Sequence, residues 1–347
     1  MGFTHETLPQ RVRFAAGEAD AAVREEVELL GARRAMVIAS PRGTEVARAV
    51  TAGIEVAVLH DGVREHVPLE IAEAARAVAA EHDVDVVVSV GGGSATGLGK
   101  AVALTTGLPL VAVPTTYAGS EATDVWGLTT DGTKTTGTDR RVLPRSVVYD
   151  AALTRDLPAG LTTTSGLNAL AHAVDALWAP RADPINAALA GEGVRALAVA
   201  LPAVLDAPHD LTARERVLYG TYLASAAFAS SGSGLHHKIC HVLGGRFDLP
   251  HAATHAIVLP HVLALNAPHA PAADRRLAEA FGSTSAVLGL ADLYDRLDAP
   301  RSLAELGLRD DQVAEAAAAI LPSVPPSNPA PVDLGVLEVL LRSALHG

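Results

Sequence analysis

Up to about residue 150 the chain alternates short Val-rich runs with Ala-, Glu- and Arg-rich stretches, and beyond it the Val-rich runs stop. That switch constrains the fold most. An alternation of this kind implies a parallel sheet with crossover helices. Ala35–Ala39 (AMVIA), Glu55–Leu59 (EVAVL), Val84–Val90 (VDVVVSV) and Leu110–Pro114 (LVAVP) read as buried strands. Residues 18–31, 43–52, 68–82 and 94–106 between them read as helices. In the second half, segments near 164–178, 185–205, 212–230, 234–244, 255–266, 272–298 and 309–321 carry Ala and Leu at helical spacing. The expectation is an α/β N-terminal domain, 1–158, and an all-α C-terminal domain, 159–347, joined near DLPAGL (156–161). A Pro-rich stretch, 321–333, precedes a last helix.

Composition narrows the function classes. The 347 residues suffice for two domains with real cores. Aromatics are only 3%, so Ala, Val and Leu must fill the interior. A net charge of −12 argues against nucleic acid or an anionic membrane as partner. Cys240 is the only cysteine, which excludes an intrachain disulfide and a thiolate metal cluster. The start, MGFTHETLPQRVRF, has no apolar core of a leader, and no uninterrupted apolar run reaches the roughly 18 residues of a membrane span. The expected location is the cytoplasm.

GGGSATGLGK (91–100) follows the strand VDVVVSV directly and opens a helix. Such a loop presents bare backbone N–H groups to a phosphate at a helix N-terminus. It is neither a standard dinucleotide fingerprint, because Thr96 stands where GxGxxG needs Gly, nor a P-loop, because Ser94 and Ala101 break that pattern. A second loop, VPTTYAGSEATD (113–124), also follows a strand, and its Thr115, Thr116 and Gly119 are suited to a pyrophosphate or ribose. Two such loops at neighbouring strand ends fit a dinucleotide laid across the carboxyl edge of a sheet. The candidate cofactor residues are Gly91, Gly92, Gly93, Ser94, Thr115, Thr116, Gly119 and Ser40, which ends the first strand run. An acidic residue near such a strand end selects NADH by repelling a 2′-phosphate. Ser40 is neutral and Arg42 follows two residues on, so both NADH and NADPH are expected to serve.

The chain has 14 histidines, and half of them need no special reading. His5, His60, His66, His82, His209, His269 and His346 read as surface or satisfied core residues. His236, His237, His241, His251 and His255 fall within twenty residues, in HHKICHVLGGRFDLPHAATH. Asn168 and His172 share a helical face at i, i+4, as do His237 and His241. An Asp at 168 would complete an Asp/His/His/His set for a divalent ion, but the residue is Asn168.

The motifs GGGSATGLGKA, VPTTYAGSE, KTTGTDRRVLPRSVVYD, TSGLNALAHAV, SGLHHKICHVLGG and LPHAATHAIVLPH resemble the iron-containing (group III) alcohol dehydrogenase family, over almost the whole chain. That family resembles dehydroquinate synthase in fold. The resemblance implies a dinucleotide-binding α/β domain, an all-helical domain and an active site in the cleft between them. Metal-dependent members carry Asp where this chain has Asn168, and histidines where it has His172, His237 and His251. If a metal is bound, those four are the expected ligands. The branch of maleylacetate reductases looks like one in which that Asp is replaced, and HH at 236–237 and KICHVLGG are similar to it. By the same resemblance His241 lies beside the nicotinamide and Lys134 near its ribose.

The activity so implied is NAD(P)H-dependent reduction of a carbon–carbon double bond in a small dicarboxylate, maleylacetate, giving 3-oxoadipate. Asn168, His172, His237, His241 and His251 are the catalytic candidates. An amide supplies no charge to offset a dication, so the metal is expected to be absent. His172, His237 and His251 are expected to share protons near neutral pH and to attract the substrate's carboxylates. A homodimer is expected by resemblance alone. Two alternatives stay open: a metal-dependent alcohol or polyol dehydrogenase that accepts Asn as ligand, and a member recruited to a biosynthetic reaction. The segment 122–132 is expected to help form the cleft.

Overall fold

The computed structural model describes residues 2–130 and 133–347. It divides into two compact units. One holds Pro9–Leu157 and His209–Leu218; the other holds the segment ending at Leu8, Pro158–Pro208 and Tyr219–Gly347. A single cut near 158 therefore misses two exchanged segments.

In the α/β unit, β1 (Arg11–Phe14), β2 (Ala35–Ile38), β3 (Val56–His60), β4 (Val86–Gly91), β5 (Leu110–Pro114) and β8 (Ser146–Tyr149) form one sheet. The order is β1-β8-β5-β4-β2-β3, and every pairing is parallel. Val86, Val87, Val88, Val111 and Val113 are fully buried, which explains the unbroken Val runs. Each such side chain contributes about 1.5–3 kcal/mol on burial. The sequence reading missed β1 and β8, each only four residues long. RVRF tolerates two arginines because β1 is an edge strand with one neighbour.

The helices of this unit are α1 (Ala19–Leu29), α2 (Thr44–Val50), α3 (Leu69–Glu81) and α4 (Gly93–Thr106). Segment 122–132 was read only as part of a cleft. It contributes β6 (Val125–Thr130), which pairs antiparallel with β7 (Thr133–Thr138). Asp131 and Gly132 lie outside the described residues. β3 lies on one side of β2 and β4 on the other, so the strand order reverses between β2 and β4. Ligands of open parallel sheets bind at the carboxyl ends of strands at such a reversal. Ser40 follows β2 and the glycine loop ends β4.

The second unit contains α5 (Ala159–Ala176), α6 (Pro184–Asp206), most of α7 (Leu211–Ser231), α8 (Leu235–Phe247), α9 (His251–Asn266), α10 (Pro271–Phe281), α11 (Ala286–Leu297), α12 (Val313–Ile320) and α13 (Leu334–His346). The expected single helix 272–298 is two. Gly282, at φ +68°, ends α10, and the Ser285 side chain accepts from the Leu288 N–H to start α11. Helical periodicity runs through both and hid the break. The first turns of α7 group with the α/β unit. There the buried Arg214 guanidinium donates to the Tyr117 hydroxyl at 2.9 Å. By length and mean hydropathy α6 alone among the described helices could cross a membrane. Its most apolar window is 56% buried, as befits a core helix packed on α5 and α10.

Candidate active site

The two candidate nucleotide loops are shaped by missing side chains. Gly91 takes φ +147°, a conformation L side chains rarely adopt. A Cβ on Gly92 would lie 3.0 Å from Thr116 Cγ2 and 3.1 Å from its Oγ1, so the two loops touch through this position. The Thr115 N–H donates to the Gly91 carbonyl at 3.0 Å and locks them together. Gly92 caps α4 with extended backbone, and no side chain bonds the helix end. First-turn N–H groups without such a cap suit an anion. Ser94 follows in the first turn. Gly119 turns the second loop with φ +77°.

A residue the sequence reading passed over fixes that second loop. Lys100, fully buried on α4, donates from Nζ to Ser120 O at 2.6 Å, Thr123 Oγ1 at 2.9 Å and Val125 O at 2.8 Å. Burial pulls its pKa down to about 7. Its only sequence signal was a lysine on the inner face of an otherwise small, apolar helix. Ser40 starts a short turn at Pro41–Gly43 and makes no capping bond there, which leaves its hydroxyl for other use. Lys134 lies on β7 with its stem across Gly127, and burial lowers its pKa.

The histidines sit in the other unit. Asn168 and His172 lie on α5, His237 and His241 on α8, and His251 opens α9. The structure brings most of them together. The His172 and His237 rings stack at 5.0 Å with a 16° tilt, and Phe228 lies 4.2 Å from His237. His241 is 6.1 Å from His237, centroid to centroid. His251 reaches the cluster through His255, at 4.3 Å, which is 4.8 Å from His237. Asn168 is buried one turn before His172.

His236 and His255 complete the cluster. The His236 Nε2 and His255 Nδ1 atoms share a hydrogen bond at 3.0 Å with both rings wholly buried. The spacing of α8 and α9 gave no hint that these two would face each other. His172 Nδ1 lies 2.9 Å from Ser225 Oγ on α7.

The expectation of shared positive charge fails for His237. Burial first, and repulsion from His172, His236, His241 and His251 next, hold it far below the usual histidine range. Burial likewise holds His236 down to about 3 and His255 well below normal. These three rings are neutral because an imidazolium loses its hydration there.

Asp175, three residues after His172 on the same buried face of α5, was also overlooked. Its Oδ2 is 2.8 Å from His237 Nδ1 and accepts from the Gly234 N–H at 2.9 Å. Its Oδ1 accepts from Trp178 Nε1 at 3.1 Å. Burial raises its pKa to about 6, still below neutrality. An acid inside ALAHAVDAL was the available signal.

The donor set does not fit the iron that the family's name implies. Asn168 offers a neutral amide where a carboxylate is wanted. His172 and His237 stack in near-parallel planes. Among the described residues, the His, Cys, Asp and Glu atoms close enough to hold an ion belong to His236, His237 and His255, within 4.8 Å of one another. Two of those rings already bond each other.

A parallel sheet with glycine loops at its carboxyl edge, followed by a helical unit carrying inward histidines, defines a class. The chain belongs to the iron-containing alcohol dehydrogenase family: residues 9–151 match that family and residues 162–345 match its C-terminal domain. It is an oxidoreductase. Among its curated relatives is the maleylacetate reductase of Pseudomonas sp. (strain P51), 45% identical over 349 aligned positions, covering 100% of this chain and 99% of the relative. The crystal structure of an iron-containing alcohol dehydrogenase from Corynebacterium glutamicum superposes with a TM-score of 0.97 at 54% identity, covering 99% of this chain and 97% of that one. Maleylacetate reductase from Agrobacterium tumefaciens gives a TM-score of 0.93 at 42% identity, covering 100% and 99%.

Proposed function

We propose that the chain reduces the carbon–carbon double bond of maleylacetate to give 3-oxoadipate, with NADH or NADPH as hydride donor and no resident metal. The observation that carries this reading is Asn168 beside a buried histidine cluster, in a chain similar over its full length to maleylacetate reductases.

Hydride adds to the alkene carbon β to the ketone, and charge collects on the ketone oxygen as an enolate. A hydrogen-bond donor lowers that barrier because the charge develops only in the transition state. His237 Nδ1 is engaged with Asp175 Oδ2 at 2.8 Å, so that donor is assigned to His172, His241 or His251. A proton then goes to the α carbon, and His241 is assigned as its source. The glycine loops, Ser40, Thr115, Thr116 and Lys134 are assigned to the dinucleotide. A homodimer in the cytoplasm, acting on a small dicarboxylate and on neither nucleic acid nor membrane, belongs to the same reading.

The test is loss of absorbance at 340 nm with maleylacetate and each cofactor, with 3-oxoadipate identified by mass spectrometry. The purified protein is expected to carry no stoichiometric zinc or iron and to remain active in EDTA. Activity that disappears with EDTA and returns with zinc refutes the metal-free reading. Polyol oxidation with no turnover of maleylacetate refutes the substrate.

A further inference from the structure

We propose that Asp175 is a positioning residue for the reaction: it fixes the His237 ring as the Nδ1–H tautomer, so that Nε2 faces the cluster as a hydrogen-bond acceptor. The inference rests on the reductase reading for its kinetic consequence only; the tautomer itself does not depend on the substrate.

Three observations converge. First, the Asp175 carboxylate is surrounded by donors. Its Oδ2 takes the Gly234 N–H at 2.9 Å and the His237 backbone N–H at 3.3 Å, and its Oδ1 takes Trp178 Nε1–H at 3.1 Å. A carboxyl group met by three N–H groups is an acceptor on both oxygens, so the proton in the 2.8 Å contact with His237 sits on Nδ1. Second, a neutral imidazole with its proton on Nδ1 has a lone pair on Nε2. Within the described structure that Nε2 atom is buried and makes no hydrogen bond. Third, the chain is shaped to admit the carboxylate. A Cβ built on Gly234 would fall 2.3 Å from Asp175 Oδ1 and 2.7 Å from its Cγ, so glycine is what lets Asp175 reach the start of α8.

The consequence is a rule for what faces His237. A substrate carboxylate and an enolate oxygen are acceptors and gain nothing from a bare lone pair. Water or the N–H of a neighbouring ring does gain. A fixed acceptor at His237 Nε2 therefore holds a donor in one orientation beside His255 and His172, whose ring centroids lie 4.8 and 5.0 Å from that of His237, with His241 at 6.1 Å. Ordering that donor serves the protonation step. It affects kcat rather than capture of the substrate.

The experiment has a spectroscopic arm and a kinetic arm. Protein with 15N-labelled histidine is studied by two-bond 1H–15N correlation, and the His237 signals are identified by their absence in His237→Gln. The expected pattern is a protonated Nδ1 and an unprotonated Nε2. The reverse tautomer in the wild type overturns the proposal, whatever the substrate proves to be. Asp175→Asn can present its amide N–H₂ to Nδ1 and is expected to shift the signals toward the Nε2–H form. It should lower kcat about 10²-fold or more, with KM for maleylacetate changed less than about threefold. Gly234→Ala, which alters no ionisable group, displaces the carboxylate and should lower kcat in the same sense. Asp175→Asn with wild-type tautomer and wild-type kcat also overturns the proposal. A wild-type spectrum as expected, with no activity on maleylacetate, leaves the tautomer standing and removes only the substrate.

Discussion

The two candidate sites of this molecule are built from opposite materials. The candidate nucleotide loops after β4 and β5 are made of backbone. Side chains have been removed at Gly91, Gly92 and Gly119 so that N–H groups and tight turns remain. The cluster on α5, α8 and α9 is made of polar side chains sunk into helices that are otherwise Ala, Leu and Val. The first kind of site takes its shape from backbone, with buried Lys100 tying the second loop in place, and fails when atoms are added. The second holds rings neutral against their tendency to protonate and fails when protons or atoms change.

The largest expected effect separates them by pH. His236, His237 and His255 have lowered pKa values in the folded protein. The unfolded chain binds those protons near pH 6.5, so stability falls as pH drops below that value. Asp175 works the other way: raised from 3.8 to about 6, it binds its proton earlier in the folded state and offsets part of the loss between those values. From pH 7 to pH 5 the net loss is on the order of 4 kcal/mol. Urea unfolding at both pH values checks it, with His236→Val expected to flatten the slope. An unchanged midpoint means that the rings are not held neutral.

Next come the side chains themselves. His172→Ala, His237→Ala and His251→Ala should each lower kcat/KM by about 10²-fold, about 3 kcal/mol, while leaving the affinity for NADH within a few fold. Full rates in all three would make the cluster structural and erase the contrast.

The backbone-built site should respond the other way. Gly91→Val strains a residue at φ +147°, and Gly92→Val drives a side chain into Thr116. Strain of this kind costs about 1–3 kcal/mol, read as weaker NADH binding by fluorescence titration with little change in the pH slope. Normal binding in both variants would place the dinucleotide elsewhere.

The smallest effect concerns cofactor choice. NADH and NADPH should give kcat/KM values within about 30-fold, about 2 kcal/mol, because no acid stands at position 40. Ser40→Asp should shift the ratio about tenfold toward NADH by raising KM for NADPH. A wild type that already rejects NADPH a thousandfold assigns selectivity to another group.

The α/β unit was largely legible because buried parallel strands advertise themselves. VVVSV and LVAVP admit few other readings, and glycine triplets at a strand end announce a backbone site. β1 was missed because Arg11 and Arg13 break its apolar pattern, and β8 because SVVY offers only two consecutive valines, whereas the equally short β2 is apolar throughout. The cluster was legible as a list of histidines and illegible as a geometry. His236 was visible as half of a doublet, yet its bond to His255 depends on how α8 meets α9. Asp175 shares a face with His172, but nothing local says that it reaches His237, 62 residues away.

The sequence by itself determined the alternation that makes a parallel sheet, the helical second half, the glycine loops at the strand ends and the replacement of an acid by Asn168. These are local properties, set by backbone preference and by which faces are apolar. Tertiary packing decided the charge and tautomer of the histidines. Both depend on hydration lost and on partners gained across helices distant in the chain, and desolvation is a property of the folded interior rather than of any stretch of residues.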